Sequence, residues 1–254
     1  MIQKILSKIY YAFLTLSCLG WRESTSTIDV NGVNLLYATR GPENGYPVIL
    51  LHGNGGSHIK MRTQAMQLAK AGYRVYSPDS RGQGANEPLQ EYHYADMAED
   101  TYCFIQKLGL EKPYVYGWSD GGIIALMMEM EHPGTCGKIA VSGANLTPDC
   151  GEGFEEFKAW ILENGTPLAM MMLSEPDIKP EQLRAIHCPT LVTAGSEDLI
   201  SEEHTRMIAD NIPGASLVIV QGKDHGNYIK RSPIMGRLLL DFFSLLSTKS
   251  CGRS

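Results

Sequence analysis

One serine stands in a setting that could make it a nucleophile. Ser119 is the centre of a Gly-Trp-Ser-Asp-Gly pentapeptide at residues 117–121, between the strand-like apolar run 114–116 and a helix-like run that starts at Gly122. A strand, a sharp turn at serine and a helix leave the hydroxyl exposed above the positive end of the helix. A turn that merely contains glycine and serine is the alternative. A nucleophile also requires a base, an acid and oxyanion donors, and these decide between the two interpretations.

An acid and a histidine follow the serine in the order that this chemistry uses. Asp198 comes after the apolar run 191–194, and His225 follows the last such run, 217–220, in a glycine-containing turn. Histidine would take the proton of the serine, and the carboxylate would hold the imidazole in one tautomer. Glu197 is the alternative acid, because neighbouring carboxylates on one loop are hard to separate by sequence. We select Asp198 and His225 as the partners of Ser119.

Donors for an oxyanion are predicted upstream, in the turn His-Gly-Asn-Gly-Gly-Ser at residues 52–57. A glycine-rich turn leaves backbone N–H groups free to face a developing negative charge, and we select those of Asn54 and Asp120. The side chain of Asp120 has two interpretations. It is a helix-start residue favoured by the helix dipole, or it is an unpaired carboxylate beside the scissile carbonyl that favours substrates carrying an α-ammonium group.

The elements that must position these residues follow from hydrophobic periodicity. Runs 26–30 and 33–38 flank Asn31-Gly32, which predicts a β-hairpin. Six further strands are predicted, alternating with helices near 60–71, 95–108, 121–131, 202–211 and 233–247, at residues 48–51, 73–77, 114–116, 139–142, 191–194 and 217–220. The fold class is therefore α/β, with a doubly wound, mostly parallel, eight-stranded sheet. Ligand sites in such sheets lie at the carboxyl ends of the strands, where the selected residues stand.

The alternation of strands and helices fails between residues 142 and 191, where helical stretches near 153–164, 166–173 and 180–186 intervene. So long a connection in a compact domain is usually functional. Its apolar side chains predict either an apolar, adaptable substrate pocket or packing inside the protein. They are Phe154, Phe157, Trp160, Ile161, Leu168, Met170, Met171 and Met172. We divide the chain into an N-terminal segment, 1–25, and one domain, 26–254, with the insertion at about 146–188.

Composition excludes several other functions. The net charge is −6 without any run of lysine or arginine, so nucleic acid is not an expected partner. No G-x-G-x-x-G motif follows the first parallel strand, and the six cysteines form no C-x-x-C pair. We therefore expect neither a nucleotide cofactor nor a metal, and a small molecule as the partner. Unpaired thiols favour a cytoplasmic location.

The N-terminal segment leaves that location open. Lys4 and Lys8 precede an apolar stretch that is too short to span a bilayer. Apolar residues also recur at helical spacing on one side, as in an amphipathic helix: Ile2, Ile5, Leu6, Ile9, Phe13 and Leu16. A cleaved signal peptide, a helix on a membrane surface and a helix packed on the domain are the alternatives. Export and membrane association stay open, and the oligomeric state is not predicted.

With these motifs in order, residues 26–247 resemble an α/β-hydrolase. The resemblance implies that Ser119 is the nucleophile, that Asp198 and His225 are its partners, and that 146–188 form a small helical lid. Dehalogenases and epoxide hydrolases of that family carry aspartate at the centre of the strand–turn–helix motif, the nucleophile elbow, where this chain has Ser119. They usually carry proline in the turn that corresponds to residues 52–57, the oxyanion turn, where this chain has Gly55. The elbow is similar to that of the biphenyl hydrolase-like enzymes, which act on esters of amino acids.

The expected function is therefore that of a serine esterase, in which Ser119 attacks a small carboxylic ester and forms an acyl-enzyme. An amidase or aminopeptidase, a lactonase, a carbon–carbon bond hydrolase and a perhydrolase use the same three residues and remain alternatives. A non-catalytic ligand-binding protein on the same fold is the alternative from another class.

Overall fold

A single eight-stranded sheet forms the centre of the computed structural model, which describes residues 22–151 and 154–244. Its strand order is β1-β2-β4-β3-β5-β6-β7-β8. The strands are β1 Ser24–Val30, β2 Val33–Arg40, β3 Pro47–Leu51, β4 Arg74–Pro78, β5 Tyr114–Trp118, β6 Lys138–Ser142, β7 Thr190–Glu197 and β8 Ser216–Asp224. The neighbouring strands β4, β3, β5, β6, β7 and β8 are all parallel to one another, whereas β2 is antiparallel to β1 and to β4. The predicted fold class is confirmed.

The first two strands form the hairpin that Asn31-Gly32 predicts. Asn31 has φ 43° and Gly32 has φ 79°, the positive values that a type I′ turn requires at both central positions. The turn sets the register, in which Val30 faces Val33 and Ser24 faces Thr39. The hairpin begins at Ser24, two residues before the predicted domain boundary, and it forms the edge of the sheet.

Helices cover both faces of the sheet. They are α1 Arg62–Lys70, α2 Tyr94–Lys107, α3 Asp120–Glu131, α4 Phe154–Asn164, α5 Pro167–Met171, α6 Glu202–Asn211 and α7 Ile234–Ser244, with 3-10 turns at His58–Met61 and Pro180–Ala185. Helices α1 and α7 pack together on one face, and α2 and α3 pack together on the other. Alternate residues of β3 enter the two cores, Val48 with the first pair and Ile49 with the second. A strand buried on both faces has no polar side, which explains its uninterrupted apolar sequence.

The predicted insertion lies between β6 and β7 and contains α4, α5 and the 3-10 turn Pro180–Ala185. Helix α4 shows little of its apolar surface to the core: Ile161 is fully buried, whereas Trp160 is 57% exposed and Leu162 is 61% exposed. Thr166 directly precedes helix α5 and caps it, because its hydroxyl accepts a hydrogen bond from the N–H of Ala169.

The N-terminal segment predicted at 1–25 lies outside the described residues up to position 21, as does the chain beyond Ser244. Among the helices in the described ranges, none combines the length and the apolar character needed to cross a bilayer.

The turn between β5 and α3 requires glycine at two positions. A Cβ atom on Gly117 would overlap the carbonyl oxygen of Gly121, and one on Gly121 would overlap the carbonyl oxygen of Leu51 at the end of β3. Both obstacles are backbone atoms, which cannot rotate away. Strand β3, strand β5 and helix α3 therefore meet at a separation that no larger residue allows, and Ser119 is the residue at which the chain turns.

We predict that Gly117→Ala lowers the free energy of unfolding by about 3 kcal/mol or more, because two backbone segments must separate to admit the methyl group. Chemical denaturation measures this change. Gly214→Ala is the control: Gly214 has a positive φ, 73°, which Gly117 does not have, but it has open space around it, so only the backbone conformation is penalised, by about 1–2 kcal/mol. Equal losses in the two variants would contradict the steric argument.

Candidate active site

Ser119 occupies a strained backbone conformation at the end of β5, with φ 56° and ψ −122°. Its N–H donates to the carbonyl of Ser142 on β6 at 2.8 Å, and its carbonyl accepts the N–H of Gly122 in α3 at 2.7 Å. A non-glycine residue with such angles persists only when its surroundings fix it. The sheet and the helix fix Ser119 from both sides.

The structure brings Ser119, His225 and Asp198 together. The Nε2 atom of His225 lies 3.0 Å from Ser119 Oγ, and its Nδ1 atom lies 2.6 Å from Asp198 Oδ1. Asp198 has a fully buried side chain, and that of His225 is 19% exposed. Ser119 follows β5, Asp198 follows β7 and His225 follows β8. The sheet therefore places all three at the same edge, where its parallel strands end. The structure thus places the three selected residues in one hydrogen-bonded line.

Asp198, and not Glu197, is the acid beside His225. The Asp198 carboxylate also accepts the N–H of Ile200 at 3.0 Å and that of Gly195 at 3.4 Å. Glu197 is exposed and makes no hydrogen bond to His225 in the described part of the chain. Three donors around one carboxylate fix its direction.

Two residues that the sequence analysis did not select hold His225 in place. A Cβ atom on Gly143, which has φ 57°, would lie 2.7 Å from Cε1 of the imidazole. The indole N–H of Trp118 donates to the carbonyl of His225 at 2.9 Å. Both contacts join residues at least eighty positions apart in sequence, so no local pattern indicates them.

The predicted oxyanion turn lies against Ser119. A Cβ atom on Gly53 would lie 3.0 Å from the Cβ of Ser119. Within the described ranges, the backbone N–H groups of Asn54 and Asp120 form no hydrogen bond to another residue, whereas the next two in the turn are occupied. Gly55 donates to Gln83 Oε1 at 2.9 Å, and Gly56 donates to the carbonyl of Gly53 at 3.0 Å. The N–H groups of Asn54 and Asp120 thus have no partner in another described residue, and that of Asp120 lies beside its own carboxylate.

The imidazole of His52 fixes this turn through two hydrogen bonds. Its Nδ1 lies 2.8 Å from the carbonyl oxygen of Gly53, and its Nε2 accepts the N–H of Ser80 at 3.0 Å. The pair of contacts requires a neutral ring, with the proton on Nδ1. Burial lowers the pKa of His52, which keeps the ring in that form.

The carboxylate of Asp120 is hydrogen-bonded, so the expectation of an unpaired charge was wrong. Its Oδ2 accepts the side-chain amide of Asn54 at 2.9 Å, and the phenol of Tyr94 also bonds to it. Asp120 is almost fully buried. Burial raises the pKa of Asp120, and the hydrogen bonds from Asn54 and Tyr94 offset part of that effect. Asp120 thus links the oxyanion turn to the first residue of α2.

A cavity of about 380 Å³ opens beside Ser119 and His225, and the insertion forms one of its walls. Of the eight apolar residues of the insertion, Phe154, Phe157 and Met172 line it. The other five do not: Trp160 and Met170 are exposed, Ile161 and Met171 are buried, and Leu168 is partly buried against the core. Both sequence interpretations were therefore partly right.

Two charged residues of the cavity wall escaped the sequence analysis. Glu175, from the insertion, lies 2.5 Å from Nδ1 of His93 and accepts the N–H of Tyr94 at 2.9 Å. This hydrogen bond raises the pKa of His93. Lys230 places its ammonium group 4.6 Å from the ring centre of Trp118. Among the described residues, no three His, Cys, Asp or Glu side chains are placed to hold a metal ion.

Comparison with known proteins agrees with this architecture. A family model described as alpha/beta hydrolase fold matches residues 46–171. The chain belongs to the α/β-hydrolase fold family. Serine hydrolase BPHL of Homo sapiens is 26% identical over 255 residues, which cover 88% of this chain and 87% of that protein. A thermostable monoacylglycerol lipase of Bacillus sp. is 28% identical over 203 residues, or 77% of this chain and 76% of that one. Membership of this family, together with these relatives, identifies the chain as a hydrolase.

A solved structure shows the same fold. The crystal structure of bromoperoxidase from Bacillus anthracis matches with a TM-score of 0.75 at 20% sequence identity, over 87% of this chain and 99% of that one. The resemblance predicted from the motifs is thus confirmed for family and fold.

We predict that Asp120→Asn raises the free energy of unfolding at neutral pH by about 0.5–2 kcal/mol, because the folded protein then no longer buries this charge. The folded pKa of Asp120 lies above its ordinary value of 3.8. Wild type therefore loses stability as the pH rises from that value through the folded pKa, and the advantage of the variant grows over this window.

Denaturation of both proteins at several pH values measures this difference. It should be full above the folded pKa and vanish in acid, where the carboxyl is protonated in both states. The exposed Asp241→Asn is the control and should show no such trend. A constant difference at every pH would contradict the prediction.

Proposed function

We propose that this hydrolase cleaves a small carboxylic ester through Ser119, His225 and Asp198. The observation that carries the proposal is the continuous hydrogen-bonded line from Ser119 Oγ to His225, at 3.0 Å, and from His225 to Asp198, at 2.6 Å. This line ends at the cavity beside the available N–H groups of Asn54 and Asp120. A nucleophile, its base, an orienting acid and oxyanion donors are together what acyl transfer requires.

In the proposed reaction, Nε2 of His225 takes the proton of Ser119 as Oγ attacks the ester carbonyl. The carbonyl oxygen becomes negative and accepts hydrogen bonds from the N–H groups of Asn54 and Asp120. His225 then gives its proton to the leaving alcohol, and an acyl-enzyme remains. His225 next takes a proton from a water molecule, which attacks the acyl-enzyme. The carboxylic acid leaves as His225 returns a proton to Oγ of Ser119. Asp198 stabilises the imidazolium form of His225 in both halves of the reaction.

The substrate class rests on three observations. A cavity of about 380 Å³ suits a small molecule. Phe154, Phe157 and Met172 give it an apolar wall for an acyl or alcohol group. One relative is named as a monoacylglycerol lipase. Amides and lactones are the alternative substrates, and a panel of esters, amides and lactones with matched acyl groups separates them by kcat/KM.

We predict that Ser119→Ala abolishes labelling by a fluorophosphonate and ester turnover while the fold remains, because the reagent and the substrate both need the same Oγ atom. Gel fluorescence and a circular dichroism spectrum measure labelling and folding. Ser216→Ala, at an exposed position, is the control and should label as wild type does. Turnover that persists in Ser119→Ala would refute the nucleophile.

For the acid, Asp198→Asn should lower kcat on the order of 10⁴-fold, because an amide at this position favours the wrong tautomer of His225. Steady-state kinetics on the best ester measures the effect. Glu197→Gln is the matched control, since it makes the same chemical change one residue away, on an exposed side chain. Greater damage from Glu197→Gln would show that the wrong carboxylate was chosen.

An amino-ester preference is the finer part of the proposal, and the hydrogen bonds of Asp120 dictate its test. Asp120→Ala would also release Asn54 and lower kcat/KM for every substrate. Asp120→Asn keeps an oxygen that accepts from Asn54 and removes only the charge. We predict that wild type prefers an α-amino ester to its des-amino counterpart, and that Asp120→Asn loses this preference through the amino ester.

Glu175→Gln is the control for this comparison, because Glu175 is another carboxylate of the same cavity. Loss of the preference in Glu175→Gln alone would transfer recognition of the ammonium group to Glu175. Equal rates for the two esters in wild type would leave an esterase without amino-ester specificity.

A further inference from the structure

A second concave surface adjoins the cavity. This groove, of about 540 Å³, contains the 3-10 turn before α1, the first turns of α1 and the chain after β8. Two apolar side chains in it face solvent, Ile59 at 57% and Met66 at 40% exposure. Its lining consists of Ile59, Lys60, Arg62, Thr63, Met66, Lys230 and Arg231. Lys230 belongs to the walls of both the groove and the cavity.

The charge of the groove is opposite to that of the whole protein. The chain has a net charge of −6, yet the groove lining contains four cations and no carboxylate. Arg62 is paired with Glu23 at 2.8 Å. Lys60, Lys230 and Arg231 form no ion pair with any described residue. The carboxylate of Asp224, which Lys230 influences electrostatically, is held by the backbone N–H groups of the glycine and the asparagine that come directly after His225.

The start of the described chain lies at this same groove. Glu23, at the start of the described chain, bonds to Arg62 in the groove wall. Residues 1–21, which precede it, contain Lys4 and Lys8 and no acidic residue. Two cationic partners repel each other, so charge argues against this segment as the occupant of the groove. A groove and a neighbouring segment of the same sign are instead complementary to one anionic partner.

We propose that this groove docks on an anionic lipid membrane. Exposed Ile59 and Met66 would enter the interface between headgroups and acyl chains, and the cations around them would meet anionic headgroups. Each lysine or arginine near such a surface strengthens the attachment. Basic residues around apolar ones, next to a cationic sequence of amphipathic spacing, are the combination by which proteins lie on membranes.

Docking on this face has a geometric result. Lys230 separates the groove from the cavity by the width of one side chain. The cavity therefore lies beside the headgroup layer when the groove is occupied. This inference concerns attachment alone, and it holds whether or not Ser119 cleaves esters.

The test is co-sedimentation of the full chain with vesicles of phosphatidylcholine, with or without phosphatidylserine. We expect binding only when phosphatidylserine is present, and weakening of that binding by salt. The double variant Lys60→Glu/Arg231→Glu should reduce the binding at least about tenfold, and Ile59→Ser should also reduce it. Circular dichroism confirms that the variants fold, and Lys4→Glu/Lys8→Glu measures the share of the N-terminal segment.

Two controls match these changes at exposed sites elsewhere. Arg184→Glu reverses a charge on the 3-10 turn Pro180–Ala185, and Leu162→Ser removes an apolar side chain that is 61% exposed on α4. Neither should alter binding. Equal loss in these controls, binding without phosphatidylserine, or no effect of the groove variants would overturn the proposal. Retention on immobilised polyglutamate without binding to vesicles would also overturn it, because the partner would then be an acidic protein.

Discussion

The contact between three backbone segments at the serine turn determines how the rest of the site is arranged. Gly117 lies against Gly121, and Gly121 lies against Leu51 at the end of β3. Because no side chain separates these segments, helix α3 begins directly beneath the turn that comes after β3. Asn54, in the turn after β3, and Asp120, the first residue of α3, are thereby both brought close to Ser119. A larger separation would move their N–H groups away from the serine.

Two carboxylates flank Ser119, and their surroundings give them different properties. Asp198 accepts hydrogen bonds from the imidazole and from two backbone N–H groups, which fix its direction. Asp120 is held by a neutral amide and a phenol inside the protein, and burial raises its pKa. The first is suited to stabilise a cation that forms on His225. The second positions Asn54 through a hydrogen bond.

Features that depend on chain order are the ones that the sequence predicts best. Ser119, Asp198 and His225 each come directly after a strand, and parallel strands place their ends together, so local patterns are sufficient to select them. The hairpin at Asn31-Gly32 and the eight strands are found in the same way. Gly143, Glu175 and Lys230 could not be selected, because their roles depend on packing between distant segments. The side on which an apolar residue of α4 faces was equally unpredictable, since that helix is apolar in several directions.

One series of hydrogen bonds gives the insertion a role beyond forming a wall. Glu175 accepts the N–H of Tyr94, the phenol of Tyr94 bonds to Asp120, and Asp120 accepts the amide of Asn54. The insertion and the oxyanion turn are therefore two ends of one connected unit. Thermodynamic linkage requires that such an effect be reciprocal: if a ligand bound under the insertion orders Asn54, then ordering Asn54 tightens the hold on that ligand by the same factor. Ligand binding under the insertion and the ordering of Asn54 would then be a single equilibrium.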